Sequence, residues 1–324
     1  MKMKTRLFQR LLLPFLMAVA CDDAAPVPAS VDEGWTRLPI RIRDAAAEDL
    51  QVFSFDQRGP MAIDGYDRID PAFDGFRIAT GDRIVAAVLN GPDLSAIADF
   101  SALAAWHYVP GETDNPDGQP LLFGYEEKRI TADTRAIELD VHRQIGRIAV
   151  LRLHNRLGGG QDIEGLCLFV ANAAEDTLLG SDCLESAVRI HPDGHAGTAA
   201  GEDTAYLTRP FVDGSLVPAT HGDWTAVTLG ALPHGSAHAG PYYLYSCPTP
   251  ADWAPWLVIA AQISGRTWYY NLPLRAIAKD ISQEVTISLL TLGADRPCVE
   301  NEPGSYVCSR SLSGWTAVNC SETI

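Results

Sequence analysis

The sequence has few basic residues for its length. Of its 324 residues, 25 are Lys or Arg and 41 are Asp or Glu. Four of the basic residues and none of the acidic ones lie in residues 1–20, so the rest of the chain carries 21 basic and 41 acidic residues, a net charge of −20. Such a surface repels phosphate groups, so we expect neither nucleic acid nor anionic lipid headgroups as partners.

The sequence also lacks a hydrophobic run long enough to span a bilayer, which takes about 20 apolar residues. The apolar segment Leu11–Ala20 is shorter, follows four basic residues and ends in small residues directly before Cys21. This is the pattern of a lipoprotein signal, in which Cys21 is acylated and becomes the new N-terminus. The alternative is an ordinary secretory signal followed by a chance cysteine. We expect residues 1–20 to be the lipoprotein signal peptide, Cys21 to carry lipid such as palmitate, and residues 21–34 to form a tether.

Motifs of hydrolases and nucleotide-binding enzymes are missing, since there is no G-x-S-x-G, no H-E-x-x-H and no P-loop. Two histidine pairs, His191/His195 and His234/His238, are spaced four apart, but this spacing suits a metal only on a helix and both segments contain Gly. The acidic segment 111–120 does not follow the EF-hand pattern. We expect no catalytic residue, no cofactor and no metal ion. A hydrolase that uses loop His and Asp side chains is the alternative.

The number of cysteines suggests that they form disulfide bonds. Besides Cys21 there are six cysteines, and an even number in an exported chain indicates disulfides. Nearness in sequence favours a bridge between Cys167 and Cys183 and another within the tail, but the connectivity stays open. The candidates are Cys167, Cys183, Cys247, Cys298, Cys308 and Cys320.

The fold class follows from short apolar runs between frequent turn residues. With 21 Pro and 27 Gly, these runs favour an all-β chain. At ~150 residues per domain the chain is long enough for two, and the glycine run 158–160 predicts a boundary. We therefore expect an N-terminal domain over 35–157 and a C-terminal domain over 158–324. Helical spacing over Asp93–Trp106, with Asp93 as the N-cap, predicts one helix in the first domain.

Two stretches give the clearest strand predictions. Apolar side chains alternate over Leu257–Ile263, a Ser-Gly turn follows, and Arg266–Leu272 returns as the second strand of a hairpin. A third strand is predicted over Val285–Leu292. Near the start of the chain, Trp35–Arg43 alternates around Leu38, Ile40 and Ile42, and this pattern predicts a strand directly after the tether.

The order of these motifs resembles the Bacteroidales fimbrillin family, the major and minor lipoprotein subunits of type V pili. The hairpin ends in Tyr-Tyr-x-Leu-Pro-Leu, and Gly293–Pro297 has the form G-x-D-x-P. Val52–Gly59 has the form V-x-x-F-D-x-x-G, which is similar to the early strand of minor and anchor subunits. Arg143–Ile148 is similar to a family strand. The six cysteines depart from the family, which is not cysteine-rich.

The resemblance implies an all-β fold of two tandem transthyretin-like β-sandwich domains. It implies a structural subunit of a cell-surface fimbrium, of minor, tip or anchor type, that assembles by donor-strand exchange and is not an enzyme. The expected partners are other fimbrial subunits, the outer membrane through the lipid anchor, and a ligand on a host or bacterial surface. Asp22 and Asp23 resemble the acidic signal that sends lipoproteins of this group to the cell surface.

In stalk members of the family, a protease cuts after an arginine near the first strand, and a partner's strand fills the groove that is left. The candidate processing sites here are Arg37, Arg41 and Arg43. The alternative function is a surface lipoprotein that binds glycan or peptide through a β-sandwich. Three tryptophans, Trp224, Trp253 and Trp256, are candidates for an exposed binding patch.

Overall fold

The computed structural model divides the chain into a unit Met1–Glu33 and a unit Gly34–Ile324. It describes residues 34–43, 49–69, 75–110, 118–174, 176–181, 189–190, 196–197, 211–212, 215–216, 226–251 and 255–315. The signal peptide, Cys21, most of the tether, Cys183, Cys320, Trp224 and Trp253 lie outside these residues. No helix among the described residues is long and apolar enough to cross a membrane.

The described part of the first half is built of strands and one short helix, α1, Phe100–Ala104. The strands are β1 Trp35–Leu38, β2 Ile40–Ile42, β3 Leu50–Asp56, β4 Ile63–Ile69, β5 Phe76–Ala79, β6 Gly81–Leu89, β7 His107–Tyr108, β8 Leu122–Ile130, β9 Ile137–Leu139, β10 His142–Arg143 and β11 Gly146–Asn155.

A five-stranded antiparallel sheet of order β10-β8-β6-β3-β4 forms the middle of this half. Strand β3 sends Phe53 and Phe55 into one hydrophobic cluster and Leu50 and Val52 into another. Because successive side chains of a strand point to opposite faces, the sheet is covered on both sides. This explains why the sequence of β3 is nearly continuous in apolar residues.

Two different layers cover the two faces of this sheet. One face packs against the pairs β1–β5 and β2–β9, which we call the N-terminal layer, through Leu38, Phe76, Ile78, Ile137 and Leu139. The other face packs against the helix and later segments through Leu94, Leu103, Tyr108, Leu179 and Trp315.

The described strands of the second half are β12 Gly165–Ala171, β13 Ala173–Ala174, β14 Thr177–Leu178, β15 Arg189–Ile190, β16 Ala196–Gly197, β17 Phe211–Val212, β18 Ser215–Leu216, β19 Ala226–Leu229, β20 Ala237–Ser246, β21 Trp256–Ile263, β22 Arg266–Pro273, β23 Ile281–Leu289 and β24 Tyr306–Gly314. Two four-stranded sheets, β20-β11-β23-β24 and β19-β12-β21-β22, pack face to face. Both sheets contribute to one hydrophobic core, which includes Ile148, Val150, Ile259, Ala261 and Ile287. This arrangement is a β-sandwich.

The predicted hairpin is confirmed as β21 and β22, which pair from Trp256 opposite Pro273 to Ile263 opposite Arg266. The turn between them has positive φ at Ser264 (53°) and Gly265 (72°). Tyr270 and Leu272 face the core between the two sheets, as their spacing predicted. The predicted third strand also exists, but it starts four residues earlier, at Ile281.

Strand β11 lies where the sequence did not place it. The predicted bounds 35–157 place it at the end of the N-terminal domain, but it forms an antiparallel ladder with β20 and a parallel ladder with β23. It therefore belongs to a sheet of the second half. The division into two domains at 157/158 stays a prediction, as does their transthyretin-like topology. The all-β sandwich with one short helix among the described residues is confirmed.

The predicted helix is much shorter than expected and starts later. Asp99, not Asp93, is its N-cap, and the Asp99 carboxylate accepts a hydrogen bond from the N–H of Ala102 at 2.8 Å. The preceding residues are held by the sheet, because the side-chain oxygen of buried Gln51 accepts the N–H of Leu94 at 2.9 Å. A tertiary contact therefore overrides the helical spacing of 93–98.

Candidate functional site

The described chain begins with an extended segment that Pro39 divides in two. Before Pro39, β1 pairs antiparallel with β5, with Trp35 opposite Ala79 and Leu38 opposite Phe76. After Pro39, β2 pairs in parallel with β9. Proline has no N–H to donate to a ladder, so it suits the point at which a segment changes its partner.

This N-terminal segment, residues 35–43, is the link between β5 and β9. In the described part of the chain, β1–β5 and β2–β9 are each two-stranded, so neither β5 nor β9 pairs with any other strand. If the segment were absent, β5 and β9 would both present unpaired backbone N–H and C=O groups. Such edges are templates for pairing with another chain.

The inner face of the segment is apolar. The side chain of Leu38 is only 3% exposed and packs into the cluster between the central sheet and the N-terminal layer. Ile40 and Ile42 are half-buried against the same cluster. The alternation predicted from the sequence is therefore confirmed, and the three side chains fill one row along the strand.

The outer face of the segment is basic and exposed. Arg37, Arg41 and Arg43, the three predicted processing sites, all lie on the surface. The guanidinium of Arg43 contacts the carboxylates of Glu138 at 3.0 Å and Asp140 at 3.3 Å. The hydrogen bond from Arg43 lowers the pKa of Glu138. Because these groups are exposed, the ion pairs add little to stability and serve mainly to set the register between β2 and β9.

The acidic partners of the segment were missed by the sequence analysis, although a signal exists. In residues 137–140, Ile137 and Leu139 are buried and alternate with exposed Glu138 and Asp140. Arg41 and Arg43 alternate in the same way around Ile42. Opposite charges on matching faces of two strands favour their pairing.

Close approach of the backbone explains one glycine of this site. Gly75, at the start of β5, has φ of +115°, and a Cβ built there would lie 3.3 Å from the backbone carbonyl of Leu38. A side chain at this position would be strained and would press on β1. At the exposed end of β1, the guanidinium of Arg77 lies 4.5 Å from the centre of the Trp35 ring.

The cysteines are described only in part. Cys167 and Cys247 are buried, Cys298 is half-buried and Cys308 is exposed, and no disulfide joins any two of these four. The connectivity of the six cysteines, including that of the bridge within the tail, stays a prediction. Bridges that involve Cys183 or Cys320 fall outside the described residues and stay predictions.

The described histidines do not form a metal site with other side chains that the structure describes. In the described ranges, no group of three or more His, Cys, Asp or Glu side chains could hold a metal ion. His234 lies just before β20 and His238 is the second residue of this strand, whereas His191 and His195 are outside the described residues.

Several solved structures have a similar fold. A fimbrillin from Porphyromonas gingivalis aligns over 85% of this chain and 93% of its own, with 11% identity and a TM-score of 0.55. This chain has the fimbrillin fold. A protein classed as a cell adhesion protein from Bacteroides eggerthii aligns over 87% of this chain and 96% of its own, with 13% identity and a TM-score of 0.56.

A second protein of the cell adhesion class, from Parabacteroides distasonis, aligns over 87% of this chain and 98% of its own. Its identity is 12% and its TM-score 0.56. No family model matches the sequence, and no curated protein matches it. The fimbrillin fold is thus shared while the sequence has diverged, which agrees with a resemblance carried by the order of short motifs.

Proposed function

We propose that this protein is a structural subunit of a cell-surface fimbrium, of minor, tip or anchor type, that joins its neighbours by exchange of the N-terminal segment. One observation carries the proposal. Residues 35–43 are the link between β5 and β9 over an apolar cluster, and they are the first residues of the described fold. The fimbrillin fold of the chain supports the same role.

Exchange would work by strand addition. When the segment leaves, a row of cavities remains where Leu38, Ile40 and Ile42 lay, between two unpaired strand edges. A partner strand supplies the missing backbone hydrogen bonds, and its alternate apolar side chains refill the row. When the N-terminal segment leaves, the apolar surface beneath it is exposed to water. Burial of this surface under a partner strand then drives partner binding. No catalytic group takes part.

Among the three arginines, Arg43 is the processing site that best fits this role. It follows β2 directly, so a cut on its C-terminal side detaches both β1 and β2. A cut after Arg37 would leave Leu38 and all of β2 in place. A cut after Arg41 would leave Ile42 in place.

The pattern of the last described strand, β24, bears on whether a second copy of this chain could donate it. A strand that refills the row of Leu38, Ile40 and Ile42 needs three apolar side chains in alternation. On β24, one face carries Tyr306, Cys308, Arg310 and Leu312, and the other carries Val307, Ser309, Ser311 and Ser313. Neither face offers three in a row, so β24 is a poor replacement for the segment. A stalk built from copies of this chain would therefore need a strand other than β24 as the donor.

The lipid anchor belongs to the same proposal. Acylation of Cys21 would hold the N-terminus at the outer membrane on the cell surface. If the segment is kept, the lipid and the fold stay joined and the subunit acts as an anchor. If Arg43 is cut, the lipid is lost with residues 21–43, and the groove opens for a neighbour.

Purification of native surface filaments tests the proposal. We expect this chain among the filament proteins, and N-terminal sequencing separates its two forms. A start at residue 44 marks an exchanging subunit, whereas a blocked, lipidated Cys21 marks an anchor. If the filaments do not contain this chain, the proposed function is wrong.

A further inference from the structure

A cleft of about 350 Å³ opens beside the end of β22, far along the chain from the N-terminal segment. Its base is formed by side chains on the outer face of the sheet β19-β12-β21-β22, and its wall by the loop before β24. Its lining includes Trp256, Asn271, Glu300, Asn301, Glu302 and Tyr306.

The cleft is held in shape by hydrogen bonds between its wall and its base. The side-chain oxygen of Asn301 accepts the N–H of Asn271 at 2.7 Å, and its amide nitrogen donates to the carbonyl of Tyr269 at 2.7 Å. The hydroxyl of Tyr306 donates to the carbonyl of Asn271 at 2.9 Å. Since these bonds fix both ends of the loop, the cleft exists without a ligand and binding costs little reorganisation.

The side chains that line the cleft carry negative charge, and one cation lies at the rim, where the guanidinium of Arg310 donates to the carbonyl of Pro273. Glu300 and Glu302 flank the fixed Asn301, both are exposed, and their carboxylates form no hydrogen bond or ion pair with any residue that the structure describes. No Lys, Arg or His side chain lines the cleft. A concave site with charge of one sign attracts ligands of the opposite sign.

The two side-chain amides of the cleft are partly occupied by bonds within the fold. The side chain of Asn271 donates to the carbonyl of Arg296 at 3.1 Å and accepts the N–H of Cys298 at 3.0 Å. Both polar atoms of the Asn301 side chain are also bonded to β22. The charged groups that the lining offers to a ligand are therefore the two carboxylates, beside the half-buried ring of Trp256.

We propose that this cleft binds an arginine side chain of a partner protein. A planar guanidinium stacks on an aromatic face and donates paired hydrogen bonds to carboxylates, so it matches both features of the cleft. The inference is independent of strand exchange, because the cleft lies outside the N-terminal layer.

The proposal can be tested by measuring the affinity for a fluorescently labelled peptide, Gly-Arg-Gly-Arg-Gly. The protein used in this titration is the chain that lacks residues 1–20. We expect binding that E300Q/E302Q weakens by about tenfold or more, since two charge-assisted contacts are lost. Replacing each peptide arginine by citrulline, which has the same shape without the charge, should abolish binding. The matched control is D67N/D133N, which removes the same charge at two exposed positions in the first half, and it should leave the affinity within about twofold.

Three results would overturn the proposal. Equal losses in the two double variants would mean that the peptide is held by net charge alone. Equal binding of the citrulline peptide would exclude recognition of the guanidinium. Binding of a neutral oligosaccharide such as maltohexaose, sensitive to Trp256→Phe, without binding of the peptide would make the cleft a glycan site. None of these results bears on whether the chain occurs in filaments.

Discussion

The guanidinium of Arg83 lies 2.7 Å from the carboxylate of Asp64, and the arginine side chain is fully buried. Asp56 approaches the same guanidinium at 3.4 Å and also binds Arg58 at the surface at 2.9 Å. Asp56 is the acidic residue of V-x-x-F-D-x-x-G, and its position explains this motif: it ends β3 with a carboxylate that helps to neutralise a buried cation on β6.

Removing the buried cation should destabilise the fold strongly. We expect Arg83→Ala to lower the free energy of unfolding by ~3–5 kcal/mol, because it leaves the carboxylates without their partner and opens a cavity. Urea denaturation measures the loss. Arg129→Ala, which removes an exposed arginine 3.8 Å from Asp82, should change stability by less than about 1 kcal/mol. Equal losses in the two variants would contradict a stabilising role of the buried pair.

The N-terminal segment should be held mainly by Leu38. We expect Leu38→Ala to lower the free energy of unfolding by ~2–4 kcal/mol, as is usual for a buried leucine. Trp35→Ala should cost about 1 kcal/mol or less, because this ring is 49% exposed and contacts one arginine. Urea unfolding of both variants is the measurement. A larger loss for the tryptophan variant would mean that the end of β1, and not its buried row, anchors the segment.

Processing at Arg43 can be separated from stability by a conservative change. Arg43→Lys keeps a positive charge near Glu138 and Asp140, so stability should change little, but an arginine-specific protease should no longer cut there. N-terminal sequencing after digestion should give residue 44 for the unchanged chain and no such product for the variant. Arg37→Lys is the control and should not affect release at residue 44. A fragment that starts at 38 in the unchanged chain would show that the cut leaves β2 in place.

Buried Tyr270 should make the fold sensitive to alkaline pH. Burial raises the pKa of Tyr270, and its hydroxyl donates to the carbonyl of Thr291 at 2.8 Å. In the unfolded chain tyrosine ionises near pH ~10. The stabilising contribution is therefore complete below that pH and is lost as the pH rises, by ~1.4 kcal/mol per pH unit. Thermal unfolding between pH 8 and 11 should show a shallower alkaline loss for Tyr270→Phe, and an unchanged loss for the exposed control Tyr125→Phe. A Tyr270→Phe curve that parallels the unchanged chain would refute this.

The sequence predicted well those structural features that are determined by residues close to one another in the chain. The hairpin β21–β22 follows from alternation on both sides of a Ser-Gly turn, and the inward row of Leu38, Ile40 and Ile42 follows from the two-residue period of a strand. The order of short motifs along the chain, among them those around Asp56 and Gly293, indicated the fimbrillin fold. Each of these signals lies within a few residues of the structure that it describes.

The structural features that the sequence could not predict depend on contacts between residues that are far apart in the chain. The helix start was misplaced because Gln51, 43 positions before Leu94, holds the residues that would form its first turn. The arginine-binding cleft exists because Asn301 bonds to Asn271, 30 positions away. The partners of β11 were likewise missed, because its apolar pattern suits any buried strand and does not specify neighbours.

Pro39 has a kinetic consequence. Because β1 and β2 pair with different strands on either side of it, the segment can leave in two steps, a ladder of four residue pairs and a ladder of three. If the segment exchanges as proposed, an incoming strand can occupy one half while the other is still closed, and the activation barrier for exchange is then that of opening one half. We expect hydrogen exchange to show two separate protection levels, one for the amides of β1 and one for those of β2. A single shared level would mean that the nine residues open as one unit, with a correspondingly slower exchange.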